Sequence, residues 1–462
     1  MGKTVTRTGE VTAAIRERIA NRALSQGDKL PSVRGFAAAL KVSPSTVVEA
    51  YDRLVSEGVI RSRPGSGFYV SAGLAPPAFN DLQSGTARAI DPLWVSRQSL
   101  DAAPDALKPG CGWLPQDWMP GTIIRRAIRG LARADGAILA DYGGARGLLP
   151  LRQLLARRCA SEGLEVGPEQ LLLTASGTQA IDLICRFLLR PGDTVLVDDP
   201  CYFNFQAILR AHQARIVSVP YTPTGPDTTR FAEVLIEHRP RLYITNSGIH
   251  NPTGATMSAQ TVHKLLTIAA AHGLVIVEDD IFAEFEPEPS PRLAAFDGLS
   301  SVIRIGSFSK TLSASARCGY IAARPDWIEA LVDLQVATNF GGPNPVAAQL
   351  IFDSLMDSGY RRHIEALRQR LSRARRDTGI QLADLGLRAW VMPRGGFYLW
   401  CQLPDGRDAA DLAQVALREG VILAPGNVFS AAQQASDFMR FNVTQMQDPR
   451  VYEVLKAGLN RE

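Results

Sequence analysis

A lysine set among hydroxyls, in Gly306-Ser307-Phe308-Ser309-Lys310-Thr311-Leu312, stands seven residues ahead of Arg317. A primary amine in such a setting can attack a carbonyl, and the guanidinium beyond it can clamp an anion. Further upstream, Thr174-Ala175-Ser176-Gly177-Thr178-Gln179 places hydroxyls and a glycine directly before a helical stretch, Ala180 to Leu189. Free backbone N–H groups and the helix dipole favour an anion at such a start, so this turn reads as a phosphate cradle. Between the two lies Glu278-Asp279-Asp280. Its carboxylates could serve the same site, ligate a metal or cap a helix.

Each of these motifs follows a short apolar run. Leu171-Leu172-Leu173, Thr194-Val195-Leu196-Val197, Leu242-Tyr243-Ile244, Leu274-Val275-Ile276-Val277 and Val302-Ile303-Arg304-Ile305 alternate with helical patterns. That alternation predicts an α/β body, a mostly parallel sheet covered on both faces. In open sheets of this kind the chemistry gathers beyond the C-terminal ends of the strands, which is where the lysine, the carboxylates and the cradle all fall.

The length bounds the rest. At roughly 150 residues per domain, 462 residues correspond to about three structural units, and 46% apolar with 21% charged residues is the balance of a globular chain. No run is long and apolar enough to span a membrane, and the start, MGKTVTRTGEVTAAIRERIA, lacks the apolar region of a signal peptide. A cytoplasmic protein without membrane contact is expected. Cys111, Cys159, Cys185, Cys201, Cys318 and Cys401 are scattered singly, so neither a disulfide framework nor a metal site is expected.

Charge is uneven along the chain. Residues 1–73 hold 11 basic and 6 acidic side chains, against 39 and 40 in the remainder. A small basic unit fits a nucleic-acid-binding module, and a solvated basic face gives the same count. Apolar residues at Val11, Ile15 and Ile19 with arginines between them predict an amphipathic helix running to about Leu24. Gly27-Asp28-Lys29 breaks it. A second helix follows Ser32 as N-cap and a third follows Ser43, with Pro44 in its first position and an apolar stripe of Val47, Val48, Tyr51, Leu54 and Val55. Two β-like runs, Val59 to Arg61 and Phe68 to Val70, flank a loop from Ser62 to Gly67 with Arg63 at its tip.

These residues, LPSVR…VSPSTVVEAYDRLVSEGVIRSRPGSGFYV, resemble the winged helix-turn-helix of the GntR family of bacterial transcription regulators. The resemblance implies binding of double-stranded DNA. Ser43, Ser45 and Thr46 would sit near base edges and phosphates in the major groove, with Arg34, Lys41 and Arg63 on the backbone and Gly65 and Gly67 shaping the wing. The segment departs from many relatives in carrying Pro44 where they place a basic residue, which weakens base readout and leaves phosphate binding. Residues 74–92, small, polar and Pro-containing, read as a linker in which Phe79 and Leu82 could dock on either neighbour.

Ser-Gly-Thr-Gln at 176–179, Asp-Pro-Cys-Tyr at 199–202, His-Asn-Pro-Thr-Gly at 250–254, Glu-Asp-Asp at 278–280 and Ser-Phe-Ser-Lys at 307–310 occur together. Their order and spacing resemble fold-type I aminotransferases, which use pyridoxal 5'-phosphate. The likeness covers residues 93–462, with a large subdomain of about 151–338 and a smaller α+β subdomain from 93–150 and 339–462. Behind a GntR-type winged helix, the order of units is similar to the MocR subfamily. The resemblance implies that Lys310 forms a Schiff base with the cofactor aldehyde, that Asp279 rather than Asp280 pairs with the pyridine nitrogen, that Tyr202 stacks on the ring and that Asn251 bonds its phenolic oxygen. Ser176, Gly177, Thr178, Gln179, Ser307, Ser309 and Arg317 would hold the phosphate. Tyr142 would reach the phosphate of a neighbouring subunit, which implies a homodimer, and Arg440 with Asn251 would grip an amino acid's carboxylate.

One position departs from that pattern. Relatives place a tyrosine three residues after the aspartate, and this chain has Phe282. The loss of a donor to the phenolic oxygen predicts a raised pKa for the lysine-bound cofactor and weaker catalysis. Two functions follow from these residues, a DNA-binding regulator that senses an amino acid or pyridoxal phosphate and, alternatively, a working aminotransferase with a fused winged helix. The Phe282 substitution and the basic first segment favour the regulator.

Overall fold

Serine caps and glycine stops delimit the first elements of the chain. A computed structural model describes residues 6–20, 24, 27–71, 92–133, 136–340 and 342–460. It divides into two compact units, Met1–Arg88 and Ala89–Glu462. In the first, α1 (Arg7–Ala20), α2 (Val33–Leu40) and α3 (Pro44–Ser56) precede β1 (Ile60–Arg63) and β2 (Gly67–Val70). Ser32 accepts from the Gly35 N–H and Ser43 from the Thr46 N–H, so each serine satisfies an orphan donor at its helix start.

Val11, Ile15, Leu30, Phe36, Val47, Tyr51, Leu54, Ile60 and Val70 form the core of this unit. The stripe expected on α3 needs correction. Val47, Ala50, Tyr51 and Leu54 turn inward, whereas Val48 and Val55 are 42% and 36% exposed. Positions 47, 50, 51 and 54 follow the i, i+3, i+4, i+7 rule, and 48 and 55 fall about 100° away from them. The segment read as a mere helix breaker also does more. The Gly27 N–H donates to Val70 O, Leu30 N–H to Phe68 O and Val70 N–H to Asp28 O, which adds a third edge to the β1–β2 hairpin.

The second unit opens with α4 (Trp94–Leu100). Its main sheet contains β3 (Leu171–Thr174), β4 (Thr194–Asp199), β5 (Arg215–Thr222), β6 (Gly225–Pro226), β7 (Leu242–Thr245), β8 (Val275–Asp279), β9 (Val302–Ser307) and β10 (Gly319–Ala322). Their spatial order is β3-β10-β9-β8-β7-β4-β5-β6. The pairs β9–β8, β8–β7, β7–β4 and β4–β5 are parallel, while β10 runs antiparallel to both its neighbours. Central strands are buried along their whole length, as in Leu242–Thr245 and Val302–Ser307, because helices cover both faces. A smaller antiparallel sheet holds β11 (Arg388–Ala389), β12 (Tyr398–Gln402), β13 (Ala424–Pro425) and β14 (Phe438–Asn442) in the order β11-β12-β14-β13. The expected linker at 74–92, with Phe79 and Leu82, lies almost wholly outside the described residues.

Charged groups are buried behind the sheet's C-terminal edge. Asp280 accepts from Arg292 Nε at 2.9 Å and from an Arg304 terminal nitrogen at 2.6 Å, and both arginines are at most 5% exposed. Glu162 completes the pairing of Arg304, and Glu286 that of Arg292. Such a network is costly to break, because each remaining charge is left in a medium that cannot solvate it. Asp280→Asn should lower the unfolding free energy by about 3–5 kcal/mol, measured by urea denaturation. Arg361→Ala, at an exposed helix pair with Glu365, should change it little.

Candidate functional site

Four parallel strands end along one edge, and each delivers a side chain from its last residue or from the loop that follows it. Tyr202 follows β4, Asn251 lies in the loop after β7, Asp279 closes β8, and Lys310 sits three residues after β9. The antiparallel strand β10 starts at that same edge and is preceded by Arg317. A further contribution is the turn after β3, where Ser176 caps the helix Gly177–Leu188. Together with Val95, Ser96 and Ser99 of α4, these residues line a cavity of about 170 Å³.

The helix start is open. Ser176 Oγ accepts from the Gln179 N–H at 3.0 Å, and the N–H groups of Gly177 and Thr178 make no hydrogen bond among the described residues. Ser309 and Arg317 line the cavity beside them. Arg317 is held at φ 49°, a left-handed conformation that costs a non-glycine residue about 1 kcal/mol or more. Two free amides at the positive end of a helix dipole, a hydroxyl and a guanidinium make a receptor for a phosphate dianion.

Lys310 Nζ donates to Gly112 O at 2.5 Å. Burial, reinforced by the positive charge of Arg440, brings its ammonium down to about 8, so a substantial fraction of the amine is free and nucleophilic near neutral pH. Asp279 is buried, and its Oδ1 accepts from the Ile281 N–H at 3.2 Å. No described cation bonds it. Burial pushes its carboxyl up to about 7, the state of a carboxylate that awaits a positive partner. A protonated pyridine nitrogen is such a partner, and the amine, the carboxylate and the phosphate receptor in one cavity fit pyridoxal phosphate.

The neighbouring acidic residues are engaged elsewhere. Asp280 is taken up by its two arginines, and Glu278 accepts from the Leu293 and Ala294 N–H groups at 2.7 and 2.9 Å, capping a short helix. Of the readings open for the Glu-Asp-Asp run, Glu278 thus takes helix capping. Among the described residues no group of three or more His, Cys, Asp or Glu side chains is arranged to hold a metal ion. All six cysteines are buried and unpaired.

Arg440, fully buried on β14, stands just behind the cavity wall. Its guanidinium donates to Asn251 Oδ1 at 2.9 Å and to Gly110 O at 2.8 Å, while Nε is left without a partner. The first bond joins the smaller sheet to a loop of the larger one. It also occupies the Asn251 oxygen, so only the amide nitrogen of that side chain remains to donate into the cavity.

Other sequence-derived residues stand apart from the cavity. Gln179 turns back to accept from the Ala175 N–H at 2.6 Å and so braces the turn. Ser307 Oγ donates to Cys318 O at 3.2 Å and accepts from the Ser309 N–H at 3.3 Å, which shapes the lysine loop from behind. Tyr142 is 81% exposed and packs edge-on against Phe340, itself 68% exposed. Sequence reasoning missed Gly112, Trp113, Ile181, Phe203, Ile281 and Tyr398, which complete the lining together with α4. For Tyr398 a signal existed in the Gly395-Gly396 pair before it. A Cβ at Gly395 would meet Phe285 O at 2.5 Å, and Gly396 has φ 76°, so only glycines let the chain come this close to the main sheet.

On the first unit, Arg34, Lys41, Ser43 and Ser45 are exposed and Thr46 partly so. Ser43 Oγ lies 2.8 Å from Ser45 Oγ and 2.7 Å from Thr46 Oγ1, a hydroxyl cluster that first serves the helix cap. Arg63 needs correction. It ends β1 opposite Gly67, with Pro64-Gly65-Ser66 forming the tip, and its guanidinium rests 4.7 Å over the Tyr69 ring. A cation over an aromatic face is partly satisfied in place. Gly65 and Gly67, at φ 72° and 107°, make the tight turn that permits this.

Comparison with known proteins agrees with both units. Residues 114–457 match the model of aminotransferase class I and II, and residues 7–70 that of the gntR family of bacterial regulatory proteins. An uncharacterized HTH-type transcriptional regulator, YdcR of Escherichia coli (strain K12), is 28% identical over 97% of each chain. The HTH-type transcriptional regulator NorG of Staphylococcus aureus (strain bovine RF122 / ET3-1) is 25% identical over 88% of this chain and 94% of that protein. Among solved structures, LysN, an α-aminoadipate aminotransferase from Thermus thermophilus complexed with N-(5'-phosphopyridoxyl)-L-leucine, superposes with a TM-score of 0.72. It is 26% identical, over 82% of this chain and 95% of that one.

The Asp279 carboxyl has a measurable consequence. Its folded value near 7 lies above the ordinary 3.8, so the cofactor-free folded chain binds a proton that the unfolded chain releases. The contribution to stability is fully present below about 3.8, declines as pH rises and is lost once pH passes about 7. Asp279→Asn, which has no charge to bury, should make the cofactor-free protein more stable than the native chain at pH 8 by about 1–4 kcal/mol, with little gain at pH 4. The same variant should bind pyridoxal phosphate more weakly, a reversal of sign that thermal denaturation with and without the cofactor would reveal.

Proposed function

Because the chain belongs to the aminotransferase class I and II family and carries a gntR-family module ahead of it, we propose that its pyridoxal-phosphate unit senses an amino acid, or the cofactor itself, and thereby sets DNA binding. The order of units is that of the MocR subfamily. The observation that carries the reading is the convergence of Lys310, Asp279 and the open helix start on one cavity, in a chain whose first unit is a basic winged helix. When bound, pyridoxal phosphate supplies an aldehyde that joins to a primary amine and a ring that withdraws electrons from it.

The chain's own groups define what can enter. Gly177, Thr178, Ser309 and Arg317 hold the phosphate, Asp279 the ring nitrogen, and Tyr202 a ring face. Arg440 offers a planar fork to a carboxylate, which selects an amino acid as effector over a simple amine. Asn251, already tied to Arg440, carries any movement of that arginine toward the cofactor. On DNA, Arg34, Lys41 and Arg63 meet phosphates, and Ser43, Ser45 and Thr46 lie at the start of the groove-entering helix. For the effector to alter DNA binding it must favour one conformation of the chain over another, since affinity without that difference shifts nothing.

We infer a cytoplasmic homodimer. No helix among the described residues is long and apolar enough to cross a membrane. The Tyr142–Phe340 pair, with Leu139 59% exposed near it in sequence, offers an apolar surface that a second copy would cover, bringing Tyr142 toward that copy's phosphate site. A working aminotransferase is the second reading, favoured by the gathering of Lys310, Asp279 and Asn251, with Arg440 bonded behind them. It requires keto-acid formation from some amino acid at about 1 s⁻¹ or faster.

Lys310→Ala should abolish the visible absorption of the loaded protein and the response of DNA binding to amino acids, while leaving basal binding within about threefold, about 0.65 kcal/mol. Deletion of residues 1–73 should abolish specific DNA binding and keep the absorption. Gel shifts on the DNA upstream of the protein's own coding sequence, with pyridoxal phosphate and amino acids added in turn, would check both. A response undiminished in Lys310→Ala would exclude the lysine from sensing.

A further inference from the structure

Phe282 leaves a gap in the cavity wall, since its ring can donate no hydrogen bond. Next to it stands Tyr398, the first residue of β12, which meets Phe282 edge to face with ring centroids 5.7 Å apart. Both side chains line the cavity. Tyr398 is only 2% exposed, and its hydroxyl makes no hydrogen bond among the described residues. The hydroxyl is open to the cavity rather than sealed among protein atoms, so a group entering the site can complete it.

Its position points to what that is. A Cβ added at Gly112 would lie 3.4 Å from the Tyr398 hydroxyl oxygen and 3.8 Å from Lys310 Nζ, so phenol and amine flank one small space. In pyridoxal phosphate the phenolic hydroxyl sits on the ring carbon adjacent to the one that bears the aldehyde. A group beside the lysine that takes the aldehyde is therefore also beside the phenolic oxygen. The face of the Tyr398 ring is covered by the Arg440 guanidinium, 4.2 Å from its centroid, which holds the ring in place from behind.

We propose that Tyr398 gives the phenolic oxygen of bound pyridoxal phosphate the hydroxyl donor that Phe282 lacks. This rests on the reading of the second unit as a pyridoxal-phosphate site, and it moves a cofactor contact from the main sheet to the smaller one. A donor at that oxygen stabilises its negative charge and lowers the proton affinity of the lysine-bound cofactor. The charged and titratable groups around the phenol are Arg440, Tyr202 and Cys111, with Lys310 and Asp279 in the same cavity. Tyr398→Phe substitutes none of them and keeps the ring on which Arg440 rests.

The test titrates the visible band of the full-length, cofactor-loaded protein against pH, for the native chain, Tyr398→Phe and the double variant Tyr398→Phe/Phe282→Tyr. Tyr398→Phe should raise the apparent pKa by about one unit, and the double variant should bring it back toward the native value. An unmoved midpoint in Tyr398→Phe overturns the proposal, and if amino-acid binding weakens at the same time the hydroxyl belongs with Arg440 in holding a carboxylate. Borohydride reduction and peptide mapping separate this from the broader reading. A labelled Lys310 with an unmoved midpoint sinks the role of Tyr398 alone, whereas a native chain with neither band nor label sinks both.

Discussion

Asp279 is buried at the end of β8 without a cation, and much of the second unit is arranged around that uncompensated desolvation. A carboxyl in such a place gives up its charge until a positive group arrives. No cation of the cavity bonds it among the described residues, although Lys310 and Arg317 share its lining. Lys310 lies in the same space but bonds Gly112 O, and burial makes its amine easier to deprotonate. Burial thus draws the carboxyl up to about 7 and, with the charge of Arg440, the ammonium down to about 8. A bound group that presents a cationic ring nitrogen to one and an aldehyde to the other relieves both at once, and its phosphate finds the open end of the helix Gly177–Leu188. The network of Asp280 with Arg292 and Arg304 secures the backbone beside this site, so that the adjacent carboxylate cannot substitute for Asp279.

Two sheets share the cavity, and that division bears on sensing. On the proposed reading, the main sheet would contribute the groups for the cofactor's phosphate, ring nitrogen and aldehyde. The smaller sheet contributes Arg440 and Tyr398, which lie on paired strands with Trp400 opposite Arg440 and Tyr398 opposite Asn442. Arg440 reaches back through Asn251 to the main sheet. A carboxylate that enters must compete for the arginine's terminal nitrogens with Asn251 and Gly110 O, or meet its unpartnered Nε. Either way the bond between the two sheets is the first to feel an effector, because a buried guanidinium cannot leave its acceptors unsatisfied for free.

How far the sequence carried this reading depended on whether a residue's partner was local. Caps, turns and strand ends are written within four or five residues, so Ser32, Ser43, the Ser176 turn and the chemistry after β8 and β9 could be read directly. Strand β10 is four residues long, antiparallel and without flanking turn signals of its own, and the alternation in β5 is weak, so neither was expected. Tyr398 lies more than a hundred residues from Phe282, and nothing near either position in the chain marks their contact. On α3 a run of valines suggested a wider apolar stripe than one helix face can bury. Asp28 and Lys29 carry turn-forming and charged side chains, yet their backbone adds an edge to the wing hairpin, a use of main-chain groups that side-chain patterns do not disclose.

The winged helix shows the same internal pairing of polar groups in a setting open to solvent. Ser43 commits its hydroxyl to the Thr46 N–H, and Arg63 lays its guanidinium on Tyr69. The first is satisfied in the free protein and the second in part. A phosphate or base edge must therefore compete with an internal contact, and the gain on binding is the difference between two modest interactions rather than the full strength of either. In the proposed dimer, affinity would then come chiefly from phosphate charge and from the pairing of two modules, each weak alone. A binding surface of that kind is well suited to control from a distance. If each module contributes little, a change in how two of them are presented, worth only about 1–3 kcal/mol of coupling, suffices to decide whether the site on DNA is held.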